Sequence, residues 1–257
     1  MTTPLVKGWC PGALRPMPSG DGLLVRVRPS IGRLTQAQAA DIARLAEQYG
    51  NALIDLSARA NIQIRGVTDP TYAPLVTGLA TLGLIDATPE AEARRNIVVT
   101  PFWQSSDGTA ELAERLSNAL RDDRTLDLPG KFGFAVDTGA TPVLRDVSAD
   151  IRIERDATGA LLCRADGAAS GARITPDTAV DTALSLARWF TSSGGRKRMA
   201  AHLADGATLP SAFTAVKAAP MTHMSLPMPG QSASGFMIGL AFGQMQARTL
   251  SALADIA

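Results

Sequence analysis

The chain has 257 residues, 46% of them apolar and 19% charged, with a formal net charge of +1. That size fits one large domain or two smaller ones around a proper core, and the near-zero net charge argues against nucleic acid or an acidic membrane surface as the main partner. No apolar run approaches the roughly 18 residues of a membrane span and the start lacks a signal-peptide core, so a cytoplasmic protein is expected.

The first stretch, Gly8-Trp9-Cys10-Pro11-Gly12 through Pro16, reads as an ordered but irregular arm. Gly22 to Arg28 alternates, with Val25 and Val27 on one face and Arg26 and Arg28 on the other, and Pro29 ends this strand. Thr35 is an expected N-cap for a helix running to Tyr49 and Gly50. Ala52 to Leu56 is a second strand. Ser57 to Val67 is a third, with Ala60, Ile62 and Ile64 on one face and Arg59, Asn61, Gln63 and Arg65 on the other. Pro70 to Leu84 reads as a second helix broken by Gly78.

The order strand, helix, strand, strand, helix is most of a ferredoxin-like unit with helices on one sheet face. The polar face then gathers Arg26, Arg28, Arg59, Asn61, Gln63 and Arg65. Planar, fork-shaped hydrogen-bonding groups suit a ligand with several carboxylates or phosphates. An ordinary solvated sheet face is the other reading. Packed together, the guanidiniums need anions or carboxylate partners.

A second region follows Pro89. Glu90, Glu92, Arg94 and Arg95 lead into a strand at 96–101, then an amphipathic helix from Thr109 to Arg121. Leu128-Pro129-Gly130-Lys131-Phe132 opens another strand, and 151–155 with 160–164 reads as a hairpin. Thr175-Pro176 opens a helix through Phe190, and a short one runs from Arg196 to Leu203. From Pro220 to Gly230 the chain is rich in Pro and Met, either a mobile linker or a methionine lip for a flat ligand.

An internal repeat closes the chain. Gly22 to Arg28 parallels Gly235 to Ala241, Ile31-Gly32-Arg33-Leu34 parallels Phe242-Gly243-Gln244-Met245, and the helix from Thr35 to Ala46 parallels Gln246 to Ala257. This second copy requires either further chain or another partner to bury its apolar face. The expected organisation is residues 1–88, a ferredoxin-like half-domain with its arm; 89–219, an α+β domain; and 220–257, the linker and the opening of a second half-domain.

Taken in order, Gly8 to Pro16, Ser19 to Arg28, the strand around Arg59 to Arg65, Arg95-Asn96-Ile97-Val98 and Leu128 to Phe132 resemble the nitrite and sulfite reductase superfamily, most of all its precorrin-3B synthase branch. The resemblance implies an α+β fold of pseudo-twofold build clasping a large tetrapyrrole. It implies that Arg59, Arg95 and Lys131 contact tetrapyrrole carboxylates or a bound oxyanion. Where the reductases carry a second basic or amide group, two positions after the lysine, this chain has Gly133, which weakens an anion-reducing role. The branch implies oxygen-dependent hydroxylation and lactone formation on a precorrin-3A-like polycarboxylate. Sirohaem enters only under the reductase alternative, and a non-catalytic tetrapyrrole-binding relative is a further one.

The resemblance also implies a four-iron four-sulfur cluster, a non-haem iron, an electron donor, and a missing second half or a second copy as partner. Cys10 and Cys163, the chain's two cysteines, match no cluster position. No metal ligands are assigned, and no residue is cast as a general acid or base. His202 and His223 are expected to be structural or exposed.

Overall fold

The computed structural model describes residues 11–139, 142–219, 228–232 and 235–256. Cys10 and the Pro- and Met-rich stretch 220–227 lie outside them. The described chain runs β1 (Met17–Ser19), β2 (Gly22–Val27), α1 (Gln36–Tyr49), β3 (Leu53–Leu56), β4 (Ile62–Val67), α2 (Asp69–Thr81) and α3 (Pro89–Arg94). It continues through β5 (Ile97–Val99), α4 (Thr109–Asp122), β6 (Phe134–Asp137), β7 (Ile151–Arg155), β8 (Leu161–Ala165), β9 (Ser170–Arg173), α5 (Ala179–Ser192), α6 (Met199–Ala204) and β10 (Val216–Lys217). The last elements are β11 (Gly230–Ser232), β12 (Gly235–Met237), β13 (Gln244–Gln246) and α7 (Ala247–Ile256).

The first sheet is antiparallel, in the order β1-β2-β4-β3-β13. Val25, Val27, Ile54, Ile62 and Ile64 turn inward, where Ile42 and Leu45 of α1 and Leu75 and Leu79 of α2 meet them. Thr35 caps α1 in a full capping box with Gln38, which satisfies two otherwise orphaned backbone donors.

The structure corrects three local expectations. The third strand begins at Ile62, not Ser57. Ser57 Oγ accepts from the backbone N–H groups of Arg59 and Asn61, and Ala60 takes φ +54°, so this stretch folds into a turn. Arg59 therefore leaves the strand face and Ala60 is exposed. Gly78 does not break α2: a Cβ there would lie 2.5 Å from Leu45 Cδ2, so the bare glycine lets α1 and α2 approach. The helix begun at Pro176 starts only at Ala179, because Thr175 and Thr178 bond to each other in a turn.

The second sheet runs β10-β9-β8-β7-β6-β5, parallel from β5 to β7 and antiparallel beyond. One face packs Val99, Phe134, Val136, Ile151 and Ile153 on α4 and α5. The other is covered by Val143, Leu144, Val147 and Ala149. The molecule is thus mixed α+β.

The repeat is visible in backbone detail. β11 and β12 pair Ser232 with Gly235 as β1 and β2 pair Ser19 with Gly22. Each hairpin leads to a 3-10 turn with the same unusual residue, Ile31 at φ +52° and Phe242 at φ +57°. The second copy then adds β13 to the first sheet beside β3 and lays α7 on α1. Replacing Leu45 with Ala, which empties the α1–α2 contact, is expected to lower unfolding stability by about 2–5 kcal/mol in urea denaturation.

Candidate functional site

The polar face of the first sheet is a row of planar groups set by strand register. Arg26 on β2 stands opposite Gln63 on β4, Gln63 opposite Asp55 on β3, and Asp55 opposite Gln244 on β13. Arg26 Nε and Nη2 donate to Gln63 Oε1 at 3.1 and 2.6 Å. Gln63 Nε2 donates to Asp55 Oδ2 at 3.4 Å, and Gln244 Nε2 to Asp55 Oδ1 at 2.9 Å. The second repeat thereby reaches into the row of the first.

The structure divides the eight sequence-predicted residues. At one end of the row Arg65 is clamped. Its Nε and Nη2 bond both oxygens of Asp21 at 2.9 and 3.0 Å, Nη2 also reaches Ser19, and Nη1 bonds Asp55 at 2.9 Å. At the other end Arg59 sits half-buried in the β3–β4 turn, beside buried Asn61.

Arg28, just beyond β2, points under the N-terminal arm. Its Nη1 lies 2.9 Å from Glu92 Oε1, and its Nη2 donates to Pro11 O at 3.2 Å. The Glu92 contact is an ion pair off the N–H direction, and Arg28 Nε has no hydrogen-bond acceptor among the described residues. Burial lowers the pKa of this guanidinium, and the Glu92 charge opposes that shift.

Glu92, on α3, also accepts the backbone N–H groups of Ala13 and Leu14 at 2.6 and 3.1 Å. Gly12 is required here, since a Cβ would fall 2.2 Å from the Glu92 carboxylate. Arg95 likewise serves the junction: it bonds Asp86 at 2.8–3.2 Å and the carbonyl of Arg28 at 3.3 Å. A recess of about 150 Å³ beside this junction is lined by Gly12, Arg15, Arg28, Glu90, Glu92 and Gly130. Lys131, next to Gly130, is exposed.

Arg28, Arg65 and Arg95 therefore meet carboxylates of the chain itself, and Arg26 meets an amide. Arg59 is half-buried in its turn and Lys131 is exposed. Sequence reasoning missed Asp21, Asp55, Asp86 and Glu92 as partners. Asp55 carries the plainest signal, a lone charge inside the apolar strand Leu53-Ile54-Asp55-Leu56.

Gly133 has a structural cause. A side chain there would come 2.7 Å from Asn96 Nδ2, which donates to Phe132 O at 2.9 Å. An iron–sulfur cluster does not fit these residues, because it takes four thiolates and the chain has two cysteines. Cys163 is buried on β8, and burial pushes its thiol up to about 12. Among the described residues no group of three or more His, Cys, Asp or Glu side chains is arranged to hold a metal, and no helix is long and apolar enough to cross a membrane.

Residues 15–81 match the nitrite/sulfite reductase ferredoxin-like half domain, so the chain carries a half domain of that type. The more particular resemblance also holds: the chain is similar to a precorrin-3B synthase of Sinorhizobium sp., 34% identical over 157 residues, which are 59% of this chain and 33% of that protein. It is similar as well to a ferredoxin–nitrite reductase of Synechococcus elongatus, 30% identical over 137 residues, 49% of this chain and 26% of that protein. The structure of the Mycobacterium tuberculosis NirA protein shares the fold, with a TM-score of 0.65 and 17% identity over 91% of this chain and 50% of that one. The matches span a third or less of the two curated relatives and half of the solved structure.

The clamp on Arg65 has a pH signature. Hydrogen bonding from that guanidinium holds the Asp21 carboxyl at about 2, below its ordinary 3.8. A depressed carboxyl contributes stability that is fully present above the unfolded value and is lost as pH falls through the folded one. The stability gap between the native chain and an Asp21→Asn variant is expected to be full at pH 6 and to shrink to roughly a third of that at pH 2.5 in urea unfolding. A gap that does not change with pH would refute the clamp.

Proposed function

We propose that this chain supplies the substrate-holding part of a precorrin-3B synthase-like, oxygen-dependent oxidoreductase of cobalamin biosynthesis. Its ligand is a polycarboxylate tetrapyrrole of the precorrin-3A type. The observation that carries this reading is the 34% identity to the Sinorhizobium precorrin-3B synthase, because it extends over far more of the chain than the half domain alone.

The polar row supports it physically. Planar amide and guanidinium groups at strand spacing suit the carboxylate rim of a flat macrocycle, and internal bonds hold them in place before any ligand arrives. Arg59 and Lys131, at positions where the resemblance to the reductases implies contact with tetrapyrrole carboxylates, are groups we assign to ligand carboxylates. Arg26 joins them, held in position by Gln63. Arg28, Arg65 and Arg95 act through the chain, shaping the elements that present the others. The iron centre and electron donor come from outside these residues, and the domain organisation 1–88, 89–219 and 220–257 belongs to the same proposal.

A second reading, a sirohaem-dependent nitrite or sulfite reductase fragment, is favoured by the similarity to ferredoxin–nitrite reductase. Sirohaem copurifying with the chain, together with nitrite-dependent electron acceptance, would select it. For the first reading, uroporphyrin serves as an octacarboxylate probe in a fluorescence titration. The double variant Arg59→Ala/Lys131→Ala is expected to bind at least tenfold more weakly while its circular dichroism stays native-like, since each charged hydrogen bond contributes roughly 1.5–3 kcal/mol. Unchanged affinity would mean that the face is merely solvated.

A further inference from the structure

Lys131 is exposed on the turn before β6, yet every polar backbone group of the two residues after it is bonded. The Phe132 N–H donates to Pro129 O at 2.7 Å, and the Phe132 carbonyl accepts from Asn96 Nδ2 at 2.9 Å. The Gly133 N–H donates to Asp150 Oδ2 at 2.9 Å, and the Gly133 carbonyl accepts the N–H groups of Asp150 and Ile151 at 2.7 and 3.2 Å. The Phe132 ring is buried against Phe134 and Phe190, with centroids 5.7 and 4.8 Å away.

Asp150 ties this turn to a further segment. It is fully buried and stands just before β7. Its Oδ1 accepts from Arg198 Nε and from the backbone N–H of Met199, both at 2.8 Å, at the start of α6. Arg198 donates its other nitrogens to Ser148 Oγ and Ala149 O. A buried carboxylate persists only where donors replace its water, and this one has three, one of them a guanidinium. β6 keeps its own pairing to β5 and β7 from Phe134 onward, so the Asp150 side chain fixes the turn and not the sheet.

The chemistry at this position calls for an acid. An amide would have to aim its NH2 at a donor, either at Gly133 alone or at Arg198 and Met199 together. The first arrangement loses one bond and the second loses two. Asp150→Asn is therefore expected to release Gly133 and to keep the tie to α6.

We infer that Asp150 is a positioning residue for Lys131: its carboxylate, together with the Asn96 amide, sets where the ammonium group meets an anionic ligand. A lysine ammonium rides on a flexible four-carbon stem, so it is presented at a defined place only when the backbone beneath it is fixed. The inference rests on the assignment of Lys131 to a ligand carboxylate. Asp150 itself touches no ligand and acts through Gly133.

The test is a double-mutant cycle on Asp150→Asn and Lys131→Ala in the full chain, read by fluorescence titration with uroporphyrin. Hydrogen exchange of the Gly133 amide is followed by mass spectrometry, and circular dichroism checks the fold of each variant. Asp150→Asn is expected to speed that exchange by about tenfold and to weaken uroporphyrin binding by roughly fivefold. With Lys131→Ala already in place, the same change is expected to cost no further affinity, which a merely structural role would not produce. A loss by the same factor in both backgrounds, or native affinity in Asp150→Asn, would overturn the positioning role alone. Native affinity in Lys131→Ala would overturn the ligand assignment, and this inference with it. Should Asp150→Asn not fold, Asn96→Ala removes the uncharged donor to the same turn and carries the cycle instead. The same dependence on Lys131 is expected of it, and a loss independent of Lys131 would overturn the inference.

Discussion

The ion pair between Arg28 and Glu92 is the contact on which the arrangement of the rest depends. Glu92 sits at the meeting of three segments: it pairs with the end of β2, and it accepts two backbone N–H groups of the N-terminal arm from its place on α3. Removing two charges from water is expensive, and a buried pair repays that cost only when further hydrogen bonds satisfy the carboxylate. Glu92 has them. The neighbouring Arg95–Asp86 pair, which also bonds the carbonyl of Arg28, fixes the same junction from the other side. Together they decide how the first sheet faces the second, and hence where Arg59 and Lys131 stand.

The two repeats share a backbone but not a surface chemistry. Between its hairpin and its 3-10 turn the second copy carries Ile238, Gly239 and Leu240, where the first carries Arg26 and Arg28 among Val25 to Pro29. That stretch of the second copy holds no arginine, and Gln244 contributes an amide to Asp55.

Much of this was legible in the sequence. Period-two alternation placed β2 and the inner half of β4, the Thr35–Gln38 spacing placed α1, and the repeat was readable to the residue at Ile31 and Phe242. What alternation could not show was where a strand stops. Ser57 diverts the backbone into a turn through its own hydroxyl, so Arg59 left the face that its spacing implied. Short elements such as α3 and β9 were missed because six and four residues hold too little periodicity. The need of the guanidiniums for carboxylates was foreseen, but the partners come from distant parts of the chain. Glu92 is 64 positions from Arg28, and Asp21 is 44 from Arg65. Their pairing is a tertiary fact that no local pattern contains.

Arg28 braces the junction of the arm, β2 and α3 through Glu92. A double-mutant cycle on Arg28→Ala and Glu92→Ala, read by urea unfolding, tests it most directly. Arg28→Ala alone strands a buried carboxylate and is expected to lose roughly 3–5 kcal/mol. The pair is expected to couple by about 2 kcal/mol or more, so that the double variant loses much less than the sum of the two singles. Additivity to within about 0.5 kcal/mol would contradict the account.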